Sequence, residues 1–253
     1  AVPQPPTDIQ ALSERIKQES AFVDLLQHEL DKVIIGQRDM TQKLMIGLLS
    51  NGHVLLEGVP GLAKTLAINT LAKATNVSFN RIQFTPDLMP SDIVGAEILD
   101  ESRQFKFVKG PLFSNIVLAD EINRATPKTQ SSMLEAMQEK SVTVGGETHV
   151  LDKPFFVMAT QNPVEQEGTY PLPEAQLDRF FFKLQVGYST REELSEILDR
   201  TTTGYEASIE SVLDAPTIVE QQKLVRRVGI TPAVQDYAVR LVLATHPNGR
   251  FAT

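Results

Sequence analysis

The fold class is decided by residues 54–66, VLLEGVPGLAKTL, where a short apolar run leads through a glycine-containing loop into a helical segment. The stretch Gly58-Val59-Pro60-Gly61-Leu62-Ala63-Lys64-Thr65 has the spacing of a P-loop, whose backbone N–H groups surround phosphate at the positive end of the next helix. We expect Lys64 to reach the β and γ phosphates and the Thr65 hydroxyl to ligate magnesium. The stretch therefore predicts a site for ATP and Mg²⁺.

One position departs from the usual pattern, because Ala63 stands where a glycine normally precedes the lysine. We expect a negative φ at Ala63, as at the start of a helix, since that geometry tolerates a side chain. The alternative for the whole stretch is a glycine-containing turn with a surface lysine. The strand before the loop and the helix after it favour the P-loop.

A second apolar run ends in two adjacent carboxylates, Asp120 and Glu121. Acidic residues at the end of a strand are commonly solvated turn residues, and that alternative is the stronger one for this motif taken alone. In a chain with a P-loop, Asp120 can hold the magnesium shell and Glu121 can polarise the attacking water. The pair therefore predicts the catalytic and metal-binding carboxylates of the same site.

Two further residues are candidates because of where they stand. Asn162 follows an apolar strand, and ligands of a parallel sheet gather at the carboxyl ends of its strands, so its amide could orient the water beside Glu121. The alternative is a plain Asn-Pro turn. Arg179 follows a short helix begun by Pro171 and Pro173, and an ion pair with Asp178 is the ordinary expectation for it on these residues alone.

The rest of the chain predicts an α/β fold. From residue 53 to 186, short apolar segments alternate with helical ones, which is typical of βαβ units in a mostly parallel sheet. The five strands predicted for this core are 54–57, 77–83, 115–120, 155–160 and 181–186. Two hairpins interrupt the alternation as insertions, with predicted strands 96–99 and 104–108, and 141–144 and 148–151 around Gly145-Gly146.

Helical patterns flank this core on both sides. We expect residues 1–37 to be an N-terminal helical segment, 38–187 the α/β nucleotide-binding core and 188–253 a partial helical lid. The lid helices are predicted to open at three residues with capping side chains, namely Thr190, Thr217 and Thr231.

Composition excludes several classes of function. The chain has no cysteine and four scattered histidines, which argues against disulfides, thiol chemistry and a histidine metal site. A net charge of −8 offers no general attraction to nucleic acid or to anionic membranes, so we expect no nucleic-acid partner. No apolar run approaches the roughly 20 residues that span a bilayer, and residues 1–6 do not have the pattern of a secretory signal. A cytoplasmic setting is expected.

Taken together, these motifs resemble the MoxR family of AAA+ ATPases, over about residue 34 to the end of the chain. Residues 58–65 look like the family's Walker A motif, including its alanine before the lysine, and residues 118–125, LADEINRA, look like its Walker B motif and following turn. The stretch 84–92, FTPDLMPSD, is equally characteristic.

The resemblance implies roles for individual residues. It makes Asn162 the first sensor and Arg179 the finger that reaches a neighbour's ATP, and it places Ile35, Gly36 and Gln37 near adenine, with Leu66 following the phosphate loop. The two hairpins correspond to the helix-2 insert and the pre-sensor hairpin. The resemblance also implies a ring, expected to be a hexamer, that acts as a chaperone or remodeller of client proteins, including proteins with von Willebrand factor A domains.

One expected element is missing, since family members carry a second sensor arginine in a Ser-Pro-Arg segment that this sequence lacks. The lid therefore looks truncated, and weaker turnover is expected. Two alternatives are a DNA-directed motor and a low-turnover switch gated by ATP. The hairpin tip 141–149 contains no lysine or arginine for DNA phosphates, which disfavours the motor.

Overall fold

A computed structural model describes residues 9–58, 63–99, 101, 103–162, 168–203 and 207–246. Its helices are α1 (Ile9–Asp31), α2 (Arg38–Leu49), α3 (Lys64–Ala74), α4 (Pro90–Val94), α5 (Pro127–Glu139), α6 (Glu174–Leu177), α7 (Arg191–Thr202), α8 (Ala215–Val225) and α9 (Pro232–Ala244), with a 3-10 turn at Ile122–Arg124. Its strands are β1 (Val54–Glu57), β2 (Phe79–Gln83), β3 (Gly95–Leu99), β4 (Phe105–Lys109), β5 (Ile116–Asp120), β6 (Ser141–Val144), β7 (Glu147–Val150), β8 (Phe156–Gln161) and β9 (Phe182–Gln185).

The central sheet has five strands in the order β2-β5-β8-β1-β9, and every neighbouring pair is parallel. This confirms the predicted α/β fold and its five-stranded core. The register places Gln83 opposite Asp120 and Glu57 opposite Gln161, so the carboxyl ends of these strands form one edge. Because β5 and β8 are neighbours, the polar residues that follow them lie side by side at that edge.

Alternate residues of the central strands fill two separate cores. Val54, Leu56, Leu118 and Met158 pack with α1, α2 and α3 on one face of the sheet. Leu55, Val117, Ala119 and Val157 pack with α5 on the other face. Burial of both faces explains why these strands read as unbroken apolar runs, which is typical of parallel sheets between helical layers.

The two predicted hairpins are present as the antiparallel pairs β3–β4 and β6–β7. Gly145 and Gly146 both have positive φ values, 59° and 85°, as a tight two-residue hairpin turn requires. The hairpins touch each other, since the Phe107 ring of β4 stacks on the His149 ring of β7 with centroids 4.0 Å apart. Asp100 and Ser102, in the turn of the first hairpin, lie outside the described residues.

Two of the three predicted lid-helix starts are confirmed. The Thr190 side chain accepts a hydrogen bond from the Glu193 amide at the start of α7, and Thr231 caps α9. The prediction for Thr217 was wrong, because α8 begins two residues earlier, at Ala215. Its cap is Asp214, whose carboxylate accepts a hydrogen bond from the Thr217 amide at 2.9 Å. Across the part of the chain that the structure describes, no helix is long and apolar enough to cross a membrane.

His53, directly before β1, is buried in its neutral form. Its Nδ1 accepts a hydrogen bond from the Val157 amide at 3.0 Å, so Nε2 carries the proton and donates to the Met137 carbonyl at 3.2 Å. Burial, together with the positive charge of Lys140, lowers the pKa of His53 to about 4. A protonated ring could no longer accept from Val157, so acid should weaken this junction between β8 and α5.

We expect the free energy of unfolding to decrease as the pH is lowered through the range in which His53 titrates. The pKa rises from about 4 in the folded chain to about 6.5 in the unfolded chain, so protonation favours unfolding. The stabilisation is complete above about pH 6.5 and decreases by up to about 3 kcal/mol as the pH falls towards 4. Urea unfolding at pH 7.5 and pH 5 measures the change. His53→Gln should flatten this dependence and His149→Gln should not; an unchanged dependence in His53→Gln would contradict the assignment.

Candidate functional site

A cavity of about 360 Å³ opens at the carboxyl edge of the sheet, between the loop after β1 and the ends of β5 and β8. It brings together these predicted site residues: Gly58, Ala63, Lys64, Thr65, Leu66, Asp120, Glu121 and Asn162. Val59, Pro60, Gly61 and Leu62 of the predicted phosphate loop lie outside the described residues. Residues separated by up to about a hundred positions in the sequence thus share one cavity.

Lys64 is the first residue of α3, and its side chain reaches back to the residue that follows β1. Its Nζ donates a hydrogen bond to the Gly58 carbonyl at 2.8 Å. Burial lowers the pKa of Lys64, and the negative charges of Asp120 and Glu121 oppose that shift. The ammonium group therefore lies where a phosphate would compete with the Gly58 carbonyl for its protons.

The backbone at Ala63 differs from the prediction. Its φ is +55° and its ψ is 14°, in the left-handed region, so the expected negative φ was wrong. Ala63 is the residue before α3, and the loop turns there before the helix can begin. This conformation costs a residue with a side chain roughly 1–2 kcal/mol, which explains why glycine is the usual residue at this position of the loop.

The Asp120 carboxylate is held from two sides. Its Oδ1 accepts a hydrogen bond from the Thr160 hydroxyl at 2.6 Å. Its Oδ2 accepts two from the Arg81 guanidinium, from Nε at 3.1 Å and from Nη2 at 2.6 Å. Only 16% of the Asp120 side chain is exposed, against 49% for Arg81. Asp120 therefore faces the cavity as an ordered, charge-paired carboxylate.

Glu121 leaves the strand in a constrained conformation. Its φ of 56° lies in the left-handed region, and its amide donates to the Thr160 hydroxyl at 2.8 Å. Its Oε2 accepts hydrogen bonds from Gln83 at 2.9 Å and from Arg124 at 3.2 Å. Non-glycine residues with such φ values cluster at functional sites, where the surrounding contacts impose them. Here the Thr160 hydroxyl fixes the backbone and Gln83 and Arg124 fix the carboxylate.

Sequence reasoning missed three residues of this network, Arg81, Gln83 and Thr160. All three line the cavity. A signal for two of them was available, because Arg81 and Gln83 alternate with the buried residues Ile82 and Phe84 and so share one face of β2. Thr160 gave no such signal, since its strand is apolar and it is itself only 1% exposed.

Asn162 and Arg179, for which the sequence left alternatives open, differ in their position relative to the cavity. Asn162 directly follows β8, is buried and lines the cavity, and its carbonyl accepts a hydrogen bond from Asn123 at 3.3 Å. Arg179 follows α6, is half-buried and is not among the described residues that line this cavity. The ion pair with Asp178 is not formed, and Arg179 has no ion pair with any other residue that the structure describes.

A second cavity, of about 780 Å³, adjoins the first through Ala63 and Leu66. Its lining is mainly apolar and includes Ile35, Gln37 and Tyr188. Gln37 is anchored there by a hydrogen bond from its Nε2 to the Gly187 carbonyl at 3.1 Å. Gly36 is not among the described lining residues; its φ of +66° disfavours any other residue, and a side chain there would have to displace the Glu193 carboxylate.

The donors of the smaller cavity fit Mg²⁺ bound together with phosphate. The Thr65 hydroxyl and the Asp120 carboxylate are hard oxygen donors, which this ion prefers. No group of three or more acidic, histidine or cysteine side chains that could hold a metal occurs within the described ranges. Magnesium is commonly held by one or two carboxylates plus substrate phosphates, so the sparse protein donor set agrees with a nucleotide-bound metal.

The parallel sheet, the phosphate-loop sequence after β1 and the adjacent carboxylates at the end of β5 define a P-loop protein of the nucleoside triphosphatase class. The family model described as the ATPase family associated with various cellular activities (AAA) matches residues 53–182. Chaperone MoxR1 of Mycobacterium tuberculosis is 49% identical over 219 residues, which cover 86% of this chain and 58% of that protein. The chain belongs to the MoxR family of AAA+ ATPases.

Two other comparisons agree. YeaC of Bacillus subtilis, described as uncharacterized, is 48% identical over 223 residues, which cover 87% of this chain and 70% of that protein. The crystal structure of a candidate ATPase from Cytophaga hutchinsonii is 44% identical, with a TM-score of 0.85 over 96% of this chain and 74% of that chain. This chain therefore spans 58% of the length of the mycobacterial chaperone and a larger share of the other two proteins.

Proposed function

We propose that this chain binds ATP with Mg²⁺ in the two adjoining cavities and hydrolyses it at the interfaces of a ring-shaped oligomer. The observation that carries the proposal is the convergence of Lys64, Asp120, Glu121 and Asn162 on one cavity at the carboxyl edge of the sheet. These are a phosphate-binding cation, a metal-binding carboxylate, a general base and an amide donor, which are the groups that one subunit supplies for transfer of a phosphoryl group to water.

Each residue has a distinct part in the proposed reaction. Lys64 exchanges the Gly58 carbonyl for the β and γ phosphates, and Thr65 and Asp120 are the residues that would hold Mg²⁺. When bound, Mg²⁺ neutralises the charge that develops on the phosphates. Glu121 accepts the proton of the attacking water, and Asn162 orients that water. The adenine and ribose lie in the larger cavity, beside Ile35 and Gln37. The lining of this cavity is apolar enough to exclude water from the purine.

The nucleotide site requires a neighbour to be complete. Arg179 follows α6 outside its own subunit's cavity and has no ion pair among the described residues, so its guanidinium is available to a second copy. An arginine supplied in trans stabilises charge on the transferred group, which links turnover to assembly. We propose a hexamer for this ring.

The proposed use of ATP is the remodelling of client proteins. The two hairpins are joined by the stacking of Phe107 on His149, so a movement of one should be transmitted to the other. The β3–β4 hairpin exposes large apolar side chains, of which Phe105 is the most exposed at 74%; the others are Ile98, Leu99 and Val108. Exposed apolar groups on a paired hairpin suit transient contact with a client. Clients would include proteins with von Willebrand factor A domains.

A trapping experiment tests this function. Glu121→Gln should hold ATP and keep the assembly on its client, so proteins that co-purify with it in ATP should be lost with Lys64→Ala, whose site is empty. Adding Phe105→Ser to Glu121→Gln should release the same proteins while nucleotide binding persists. Quantitative mass spectrometry of the three samples, with sedimentation to measure ring size, gives the result. The same proteins on all three variants would contradict remodelling.

A further inference from the structure

Strand β2 supplies the cavity with a cation that has no part in the proposed reaction. Arg81 and Gln83 lie two residues apart on β2, so both side chains point to the same face, and the register sets Gln83 opposite Asp120. Arg81 donates from Nε and Nη2 to Asp120 Oδ2, and from Nη2 also to Gln83 Oε1 at 2.7 Å. The edge strand thus places a guanidinium directly against the proposed metal ligand.

These hydrogen bonds occupy both oxygens that a metal would need. Oδ2 of Asp120 accepts from Arg81, and Oδ1 accepts from the Thr160 hydroxyl. Thr160 is buried, at 1% exposure, and its hydroxyl is also fixed by the Glu121 amide, so it has little freedom to withdraw. The Arg81 side chain is about half exposed and can swing into solvent. Arg81 is therefore the partner that can be displaced.

We propose that Arg81 competes with Mg²⁺ for Asp120 and must be displaced before the metal can bind. In the nucleotide-free site the guanidinium holds the Asp120 carboxylate in place, and it lowers the affinity of Thr65 and Asp120 for a lone cation. Phosphate then becomes necessary for metal binding, because its oxygens supply the ligands that offset the loss of the ion pair. This inference rests on the assignment of Asp120 as the metal ligand in the proposed function.

The chain offers a matched control on β9, the edge strand on the other side of the sheet from β2. Lys183 on β9 forms an ion pair with Glu57 at 2.9 Å and is 44% exposed, close to the exposure of Arg81. Arg81→Met and Lys183→Met each remove one half-exposed cation from an edge strand, but only Arg81→Met frees Asp120. Arg81→Lys keeps the charge and loses the two-pronged contact.

The measurement is the binding of Mn²⁺, as a paramagnetic substitute for Mg²⁺, followed by electron paramagnetic resonance with a non-hydrolysable ATP analogue at saturation. We expect Arg81→Met to bind Mn²⁺ about threefold to tenfold more tightly than wild type, as removal of a partly exposed two-pronged competitor implies. Lys183→Met should stay within about twofold of wild type, since Lys183 pairs with Glu57 and not with Asp120. Arg81→Lys should lie between. Adding Asp120→Asn to Arg81→Met should abolish the gain.

Three outcomes would overturn the inference. Mn²⁺ binding by Arg81→Met that is equal to or weaker than that of wild type would show that Arg81 does not compete with the metal. The proposed function would still stand in that case if binding of the ATP analogue continued to depend on Lys64. A gain that survives Asp120→Asn would place the metal elsewhere. If Asp120→Asn alone leaves Mn²⁺ binding unchanged, the metal assignment fails, and the competition fails with it.

Discussion

Arg179→Ala should lower ATP turnover by about 10³-fold to 10⁵-fold while leaving nucleotide affinity within the same order of magnitude. The guanidinium acts on charge that develops only as the phosphoryl group is transferred, so its loss affects the rate far more than ground-state binding. Arg179 does not line its own subunit's cavity, which is why the effect is assigned to a neighbouring site. Steady-state phosphate release and analogue titration measure the two quantities.

Mixing two inactive variants separates action in trans from action within one subunit. Lys64→Ala has an empty site but an intact Arg179, and Arg179→Ala has an intact loop but no finger. Mixed rings contain some interfaces where an intact loop meets an intact finger, and those interfaces should hydrolyse ATP. Recovery should rise with total protein concentration because it depends on assembly.

The control is a direct demonstration of mixed rings, for example by energy transfer between differently labelled variants. If mixed rings form and the mixture stays as inactive as its components, Arg179 does not act in trans. Near wild-type turnover in Arg179→Lys would also argue against an arginine finger, since a lysine cannot reproduce the bidentate contact of a guanidinium with a phosphoryl group.

Glu121→Gln should reduce turnover by a factor of about 100 or more and leave ATP binding intact. The amide keeps the size of the carboxylate and can still accept from Gln83, but it cannot take the proton of the attacking water. Asp120 keeps its place beside Thr160, so the metal ligand is unaffected. Single-turnover hydrolysis, compared with analogue affinity, measures the separation.

A matched control is Glu135→Gln, which makes the same change at an exposed position of α5. That variant should turn over ATP like wild type. If Glu121→Gln lost binding and turnover in equal measure, Glu121 would belong to the metal shell, and the base would have to be sought elsewhere.

The central strands could be predicted from sequence because their chemistry is simple. Residues 54–56 and 116–119 are apolar runs that are buried on both faces, and each run ends at a carboxylate, which marks the end of the strand clearly. The edge strand β2 was predicted two residues too long at its start. The Val77 amide donates a hydrogen bond to the Ala72 carbonyl, so Val77 belongs to the C-terminal turn of α3 and does not begin a strand.

The interior of the site was only partly predictable. Asp120 and Asn162 stand at strand ends, where position alone favours function, and Lys64 stands in a recognisable phosphate-loop pattern at the start of α3. The contacts of Arg81 and Thr160 with Asp120 depend on strands about 40 residues apart in sequence being in register, and the sequence does not state that register. The left-handed φ of Ala63 is set by the backbone path into α3. An alanine ordinarily favours a negative φ, so the residue type alone predicted the wrong conformation.

The central claim, that the cavity at the carboxyl edge of the sheet is an ATP site, is tested most directly by calorimetric titration of the purified chain with a Mg²⁺-bound, non-hydrolysable ATP analogue. Wild type should bind it, and Lys64→Ala should lose tight binding because the cation that faces the phosphates is gone. Lys73→Ala on α3, which removes a lysine from the rim of the larger cavity, should retain binding within an order of magnitude. Equal affinity of wild type and Lys64→Ala for the analogue would contradict the account.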